Sequence, residues 1–232
     1  MIAALGIGQD GRKTILGIRQ GATENATVVG ELLGDLSHRG LDFTEPRLYV
    51  LDGGKALHAA VKRYAGESAL IQRCQVHKRR NVLDHLSDEH KPLVSRKLNE
   101  AYAREDYAAA KQALQGLHRE LMDFNPSAAR SLGEGLEETL TVHRLHVPLK
   151  LRQTLASTNV IESAFAIVER VCKNVKRWHG GDQRERWVGS GLIVAEKQFR
   201  RVKGHKLIPV LIREMEAVIP SKKVVVKRRK AS

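Results

Sequence analysis

A chain of 232 residues with 40 Lys+Arg against 26 Asp+Glu carries a formal net charge of +14 and is long enough for one or two domains with a buried core. Its 42% hydrophobic and 28% charged residues are interleaved along most of the length, which excludes collagen-like, mucin-like and low-complexity chains. Nothing approaches the roughly 20 apolar residues that span a bilayer, the N-terminal MIAALGIGQDG has no basic or long apolar signal region, and Cys74 and Cys172 are too few for a disulfide framework. A cytoplasmic protein is therefore expected, and the excess of positive charge favours polyanions, with nucleic acid as the leading partner class.

Residues 2–8 and 14–19 are short apolar runs on either side of Gln9-Asp10-Gly11, which predicts a β-hairpin. Thr23-Glu24-Asn25-Ala26 offers a capping start, and Val28, Val29, Leu32, Leu33 and Leu36 recur at helical intervals up to Gly40. After Pro46, Arg47-Leu48-Tyr49-Val50-Leu51 reads as a strand ending in Asp52-Gly53-Gly54. Helical spacing follows from Lys55 to Tyr64, then a strand at Ala69 to Gln72, so the first 75 residues read β-β-α-β-α-β. From Cys74 to about Leu140 only helical patterns occur. Residues 141–156, with Pro148, read as a connector, and Ser157-Thr158 offers caps to a helix through Ile161, Phe165 and Val168. Helices near 182–202 and 206–217 and a basic tail complete the chain, with no internal repeat. The expected division is 1–75 and 151–217 for an α/β unit, 76–150 for an all-helical insertion, and 218–232 for a disordered basic tail that makes nonspecific contacts.

Several residues carry chemistry. Asp52 lies at the carboxyl end of an apolar strand, where ligands and metals collect in α/β sheets, although an Asp there also serves as a helix cap. Glu162 falls early in a helix, where an acid is equally explained by the helix dipole. A strand-end Asp with a helix Glu in a basic protein suits Mg²⁺ or Mn²⁺, which is held by carboxylate oxygens and substrate phosphates. Cys74-x-x-His77 with His143-x-x-His146 has the ligand count of a zinc site. The interval of about 65 residues is longer than in compact zinc modules, so a buried Cys with a hydrogen-bonded His is preferred. Lys173, Lys176, Arg177, Trp178 and His179, with Arg184 and Arg186 behind, join bases and an aromatic ring in a stretch suited to a phosphate backbone; a solvated helix end explains it equally well.

Taken together, Gly21-Ala22-Thr23-Glu24-Asn25, Leu51-Asp52-Gly53, Arg73-Cys74-Gln75-Val76-His77-Lys78, Ser157-Thr158-Asn159-Val160-Ile161-Glu162 and Arg177-Trp178-His179-Gly180-Gly181 with Arg186-Trp187 resemble the mutator type of bacterial insertion-sequence transposases. The blocks cover most of the chain in order. The resemblance implies an α/β, ribonuclease H-like catalytic domain with an all-α insertion and an Asp, Asp, Glu triad holding divalent metal, Mg²⁺ or Mn²⁺. Asp52 matches the second Asp, Glu162 the Glu, and Cys74 with His77 a family signature, which argues against an independent zinc module.

No residue matches the first Asp, which the family carries on a strand upstream of the hairpin, because Asp10 sits at the hairpin tip. The chain is accordingly expected to be a C-terminal fragment truncated at its first strand and lacking the region that reads element ends. The implied reaction is metal-dependent cleavage and strand transfer on DNA at transposon ends and target, by a homo-oligomer associated with the nucleoid. The alternative is an inactive remnant that binds DNA or interferes with intact transposase. A basic RNA-binding protein fits less well, since aromatics are 4% of the chain.

Overall fold

A computed structural model describes residues 1–21, 26–66, 69–173, 175 and 181–219, with side chains at 181 and 182 left aside. Strands β1 (Ile2–Ile7) and β2 (Lys13–Arg19) form the antiparallel hairpin. Its turn closes through Gly8 N to Arg12 O and Gly11 N to Gly8 O, both 2.9 Å, and Asp10 Oδ1 accepts Arg12 N at 3.0 Å. Gly11 has φ +79°, and a Cβ there would lie 2.2 Å from His205 Cβ, so the tip needs glycine both for its backbone and for its neighbour. The register shifts by one residue beside Ala4/Leu5, opposite Leu16. The Leu16 carbonyl accepts Arg39 Nη2 at 2.6 Å instead.

Helix α1 (Ala26–His38) buries Val29, Leu32, Leu33 and Leu36, the stripe read from the sequence, whose proposed capping residues 23–25 lie outside the described residues. Strand β3 (Arg47–Leu51), helix α2 (Lys55–Ala65) and strand β4 (Ala69–Arg73) follow. The two strands pair in parallel, Arg47 opposite Ala69 through Leu51 opposite Arg73. Next come α3 (Gln75–Leu83), α4 (Lys91–Ala103), α5 (Tyr107–Phe124), α6 (Pro126–Gly133), a 3-10 turn at Glu137–Leu140, α7 (Thr141–Arg144) and α8 (Leu149–Leu155). The chain continues through α9 (Asn159–Cys172), α10 (Gly181–Lys197), a 3-10 turn at His205–Leu207 and α11 (Ile208–Val218).

Two expectations change. The connector expected over 141–156 holds two short helices, because Pro148 stands at the N-cap of α8 with φ −58° and ψ 143°, where its missing N–H costs nothing. The helix expected to 202 ends at Lys197, and the segment beyond it sends Val202 N back to Gly11 O at 3.0 Å, anchoring the hairpin tip.

The molecule is mixed α/β and mostly helical. Strand side chains alternate between two helical layers. Ile2, Ala4, Leu16, Tyr49, Leu51, Ala69 and Ile71 pack with α1 and α2, whereas Ile7, Leu48 and Leu70 pack with α7, α8 and α11. The outer edges are covered: Ile15 N on β2 donates to Glu196 Oε1 at 3.1 Å, and Ile71 O on β4 accepts Thr141 Oγ1 at 2.6 Å. Each pair stands as its own two-stranded sheet among the described residues, so β1 and β3 each keep one edge without a strand partner while sharing the same cores on both faces.

Helices α3 to α6 hold a core of their own. Every residue of that cluster falls between Val82 and Leu140, with Leu98, Leu114, Leu121 and Leu132 fully buried, each contributing on the order of 1.5–3 kcal/mol. Val142, Leu145 and Val147 belong instead to the cluster beneath β4, which marks where the chain returns to the sheet. Among the described residues no helix is long and apolar enough to cross a membrane.

Candidate active site

Strand β3 runs out at Leu51, and Asp52 folds its carboxylate back so that Oδ1 accepts Gly54 N at 2.9 Å. The N-cap of α2 is Gly54, which makes no side-chain cap bond, so Asp52 shapes the turn rather than capping the helix. Gly53 takes φ +103°, and a Cβ there would sit 2.5 Å from Arg73 Nε. Its carbonyl accepts Arg73 Nη2 at 3.1 Å, while Nη1 of the same buried guanidinium donates to Glu134 O at 3.0 Å. Arg73 therefore ties the Asp52 turn to the helical insertion.

The residue after β4 does the same for the other carboxylate. Cys74 N donates to Leu51 O at 2.7 Å, extending the parallel pair by one bond, and its fully buried Sγ accepts Thr158 N at 3.4 Å and His77 N at 3.5 Å. Thr158 Oγ1 in turn donates to Glu162 Oε1 at 2.5 Å, one turn further along α9. The strand end bearing Asp52 and the helix start bearing Glu162 are thus joined by one continuous path of backbone and hydrogen bonds through Cys74. His77 Nδ1 completes the cluster, 3.3 Å from Cys74 Sγ, 3.2 Å from Thr158 Oγ1 and 3.7 Å from Glu162 Oε1.

The donor set suits a hard cation. Asp52 and Glu162 each engage one carboxylate oxygen within the protein and leave the other without a partner among the described residues. Oxygen of this kind is what Mg²⁺ and Mn²⁺ take. Among the described residues no group of three or more His, Cys, Asp or Glu is gathered for a metal.

The second half of the four-residue zinc pattern is dispersed. His143 is buried with Nε2 3.1 Å from Tyr102 O, and burial, followed by the Arg152 charge, holds its pKa down, whereas His146 is exposed on a turn with φ 47°. Of the bases expected to meet nucleic acid, Lys173 at the C-cap of α9 and Arg184 and Arg186 on α10 are exposed; Lys176, Arg177, Trp178 and His179 lie outside the described residues.

Three groups were not singled out by sequence reasoning. Arg73 is one. Lys78 is another: its Nζ is almost fully buried, donates to Ser131 O and Glu134 O at 2.5 Å each, and has its pKa lowered to about 8, chiefly by burial and then by Arg73. It closes the C-terminal end of α6. His58, 2.7 Å from Glu138 Oε1, is the third, and with Lys55, Arg73 and Gly53 it lines a cleft of about 270 Å³ beside the Asp52 turn. Polar residues terminating a fully buried strand, as Gln72 and Arg73 do here, were the available signal.

Against known proteins, residues 1–201 match the family described as Transposase, Mutator family. The chain is 31% identical over 176 residues to the transposase for insertion sequence element IS6120 of Mycolicibacterium smegmatis, covering 76% of this chain and 53% of that protein. It is 35% identical over 162 residues to the transposase for ISRM5 of Rhizobium meliloti (strain 1021), covering 70% and 39%. The corresponding figures for the transposase for IST2 of Acidithiobacillus ferrooxidans are 30% over 168 residues, 72% and 55%. The chain spans about half the length of the curated relatives it matches, or less.

Proposed function

Because the chain belongs to the mutator family of transposases, we propose that it carries the catalytic carboxylates of metal-dependent DNA strand cleavage and strand transfer, with Asp52 and Glu162 as metal ligands. The observation that carries this reading is the Cys74 linkage, which couples the turn of one carboxylate to the helix of the other. Divalent metal bound there supplies Lewis-acid stabilisation of the attacking and leaving oxygens of a phosphodiester. Asp52, held in its turn by Gly54 N, and Glu162, held by Thr158, present their open oxygens in fixed directions. Exposed Lys173, Arg184 and Arg186 on the neighbouring helices offset the repulsion between a phosphate backbone and this acidic centre.

The fold we infer is ribonuclease H-like. The cores that β1 and β3 share on both faces support a reading in which the two strand pairs belong to one layer between the helices.

The test is Mn²⁺ binding by the chain, followed by electron paramagnetic resonance of the free ion, for the unsubstituted protein, Asp52→Asn and Glu162→Gln. Each substitution removes a carboxylate charge at nearly constant shape and is expected to weaken binding by at least tenfold. Equal affinity in all three proteins refutes the ligand assignment.

A further inference from the structure

We propose that Thr158 is a positioning residue for the Glu162 carboxylate, and that Cys74 and His77 act through it; this deepens the reading of Glu162 as a metal ligand and rests on it. Thr158 stands at the N-cap of α9 and does not cap it. Its φ of −81° and ψ of 5° are not the extended geometry that turns a side chain onto the first helical amides, and it makes no cap hydrogen bond. The hydroxyl is spent on Glu162 Oε1, four residues on and therefore on the same helix face.

A hydroxyl has one proton. With that proton on the 2.5 Å bond to Glu162, the Thr158 oxygen can only accept from its other two neighbours, His77 Nδ1 at 3.2 Å and Cys74 Sγ at 3.3 Å, of which the ring nitrogen is the stronger donor. Donation by the imidazole requires the Nδ1–H tautomer. The resulting chain of donors runs from His77 Nδ1–H to Thr158 Oγ1–H to Glu162 Oε1. Cys74 Sγ, without solvent exposure, seats the arrangement from beneath by accepting Thr158 N and lying 3.3 Å from both Thr158 Oγ1 and His77 Nδ1.

Two consequences follow for the carboxylate. A glutamate one turn into a helix has three free side-chain torsions, and the Thr158 bond fixes which oxygen faces the protein. The other oxygen is then the one available to a cation, so the bond selects one-oxygen ligation in a fixed direction. Partners of this kind, which hold a ligand without touching the ion, commonly change metal affinity by 10–100-fold when removed. The Cys-x-x-His spacing acquires a reason on the same grounds: Sγ caps α3 by accepting His77 N, and that short helix start sets the imidazole against the threonine hydroxyl.

The experiment measures Mn²⁺ affinity of the full 232-residue chain by the same resonance method, with thermal melts alongside, for Thr158→Val, Thr158→Ser and Glu162→Gln. The inference expects Thr158→Val, which keeps the branched shape and loses the donor, to bind about tenfold more weakly, and Thr158→Ser to bind within about twofold of the unsubstituted chain. Loss of binding in Glu162→Gln together with unchanged binding in Thr158→Val overturns this inference and leaves the ligand assignment standing. Unchanged binding in Glu162→Gln overturns the assignment and the inference with it. If Thr158→Val does not fold, the ¹⁵N spectrum of the His77 ring in the unsubstituted chain at pH 8.5 decides: the Nδ1–H tautomer supports the donor chain and the Nε2–H tautomer overturns it.

Discussion

Replacing Lys78 with methionine separates a buried cation's electrostatic cost from its hydrogen bonds, and the structure fixes the sign of the pH dependence. Lys78 Nζ closes α6 by donating to Ser131 O and Glu134 O, and burial with the nearby Arg73 charge lowers its pKa from 10.5 to about 8. A lysine whose folded pKa lies below its unfolded value binds fewer protons when folded. Its contribution therefore destabilises fully below about pH 8, and the penalty is lifted as pH rises from about 8 to 10.5. At 1.36 kcal/mol per pKa unit, the part lifted between pH 7.5 and 9.5 is on the order of 1.5–2 kcal/mol. In Lys78→Met that penalty disappears, but two carbonyls lose a buried donor at roughly 1–3 kcal/mol each. Below about pH 8 the relief, about 3 kcal/mol for the full shift, is of the same order as the loss of two bonds, so the trend with pH is what the structure fixes: the stability of the variant relative to the unsubstituted chain falls as pH rises. Differential scanning calorimetry of both proteins at pH 7.5 and 9.5 reads this as a midpoint difference, variant minus unsubstituted, that falls by about 3–8 °C for a chain of this size. Other titrating groups cancel in the difference. A difference that is constant or rises with pH refutes the argument.

Gly53→Ala forces a side chain onto φ +103° and within 2.5 Å of Arg73 Nε, so it is expected to lower stability by about 1–3 kcal/mol and weaken Mn²⁺ binding through Asp52; an unchanged thermal midpoint refutes the strain. Leu114→Ala opens a cavity in a fully buried position of the insertion and should cost about 2–5 kcal/mol. Hydrogen exchange should place the lost protection between residues 82 and 140, because that cluster draws on no other part of the chain; uniform loss along the chain counts against it. Binding to duplex DNA, followed by fluorescence anisotropy, should fall by about 10³ between 50 and 200 mM salt if roughly six phosphates are met, as the +14 charge suggests. Arg184→Ala and Arg186→Ala should each reduce the slope by about one, and a flat titration refutes the interface.

What was legible in the sequence is what neighbouring residues decide. The hairpin follows from Asp10-Gly11 between apolar runs, α1 from Val29, Leu32, Leu33 and Leu36 on one stripe, and β3 from an unbroken apolar run ending at Asp52. The sequence predicts a connector over 141–156 because a proline reads as a helix breaker, whereas the fixed φ and absent N–H of Pro148 serve equally to start α8. Thr158 reads as a cap from the sequence, since a threonine before a helix has the same local pattern whether its hydroxyl turns to a backbone amide or to a carboxylate four residues on. Whether Asp52 and Glu162 meet is settled by packing among β4, α3 and α9, and no local pattern encodes that.

The residues at the end of β4 share one property, which for Arg73 and Lys78 explains why sequence reasoning passed over them and for all of them explains their importance. Arg73, Cys74 and Lys78 lie within six positions of each other, where β4 turns into α3, yet each reaches a different part of the fold: Arg73 the Gly53 carbonyl and the insertion, Cys74 the start of α9, Lys78 the end of α6. Basic side chains in a protein of this charge invite assignment to a nucleic-acid surface, but at this junction Arg73 and Lys78 are buried and satisfied by backbone carbonyls. A desolvated cation survives there only because several acceptors converge on it, and acceptors converge only if the Asp52 turn, the helical insertion and the strand pair already hold their relative places. The junction therefore acts as a geometric constraint on the two carboxylates, fixing the turn of one through Arg73 and the helix of the other through Cys74.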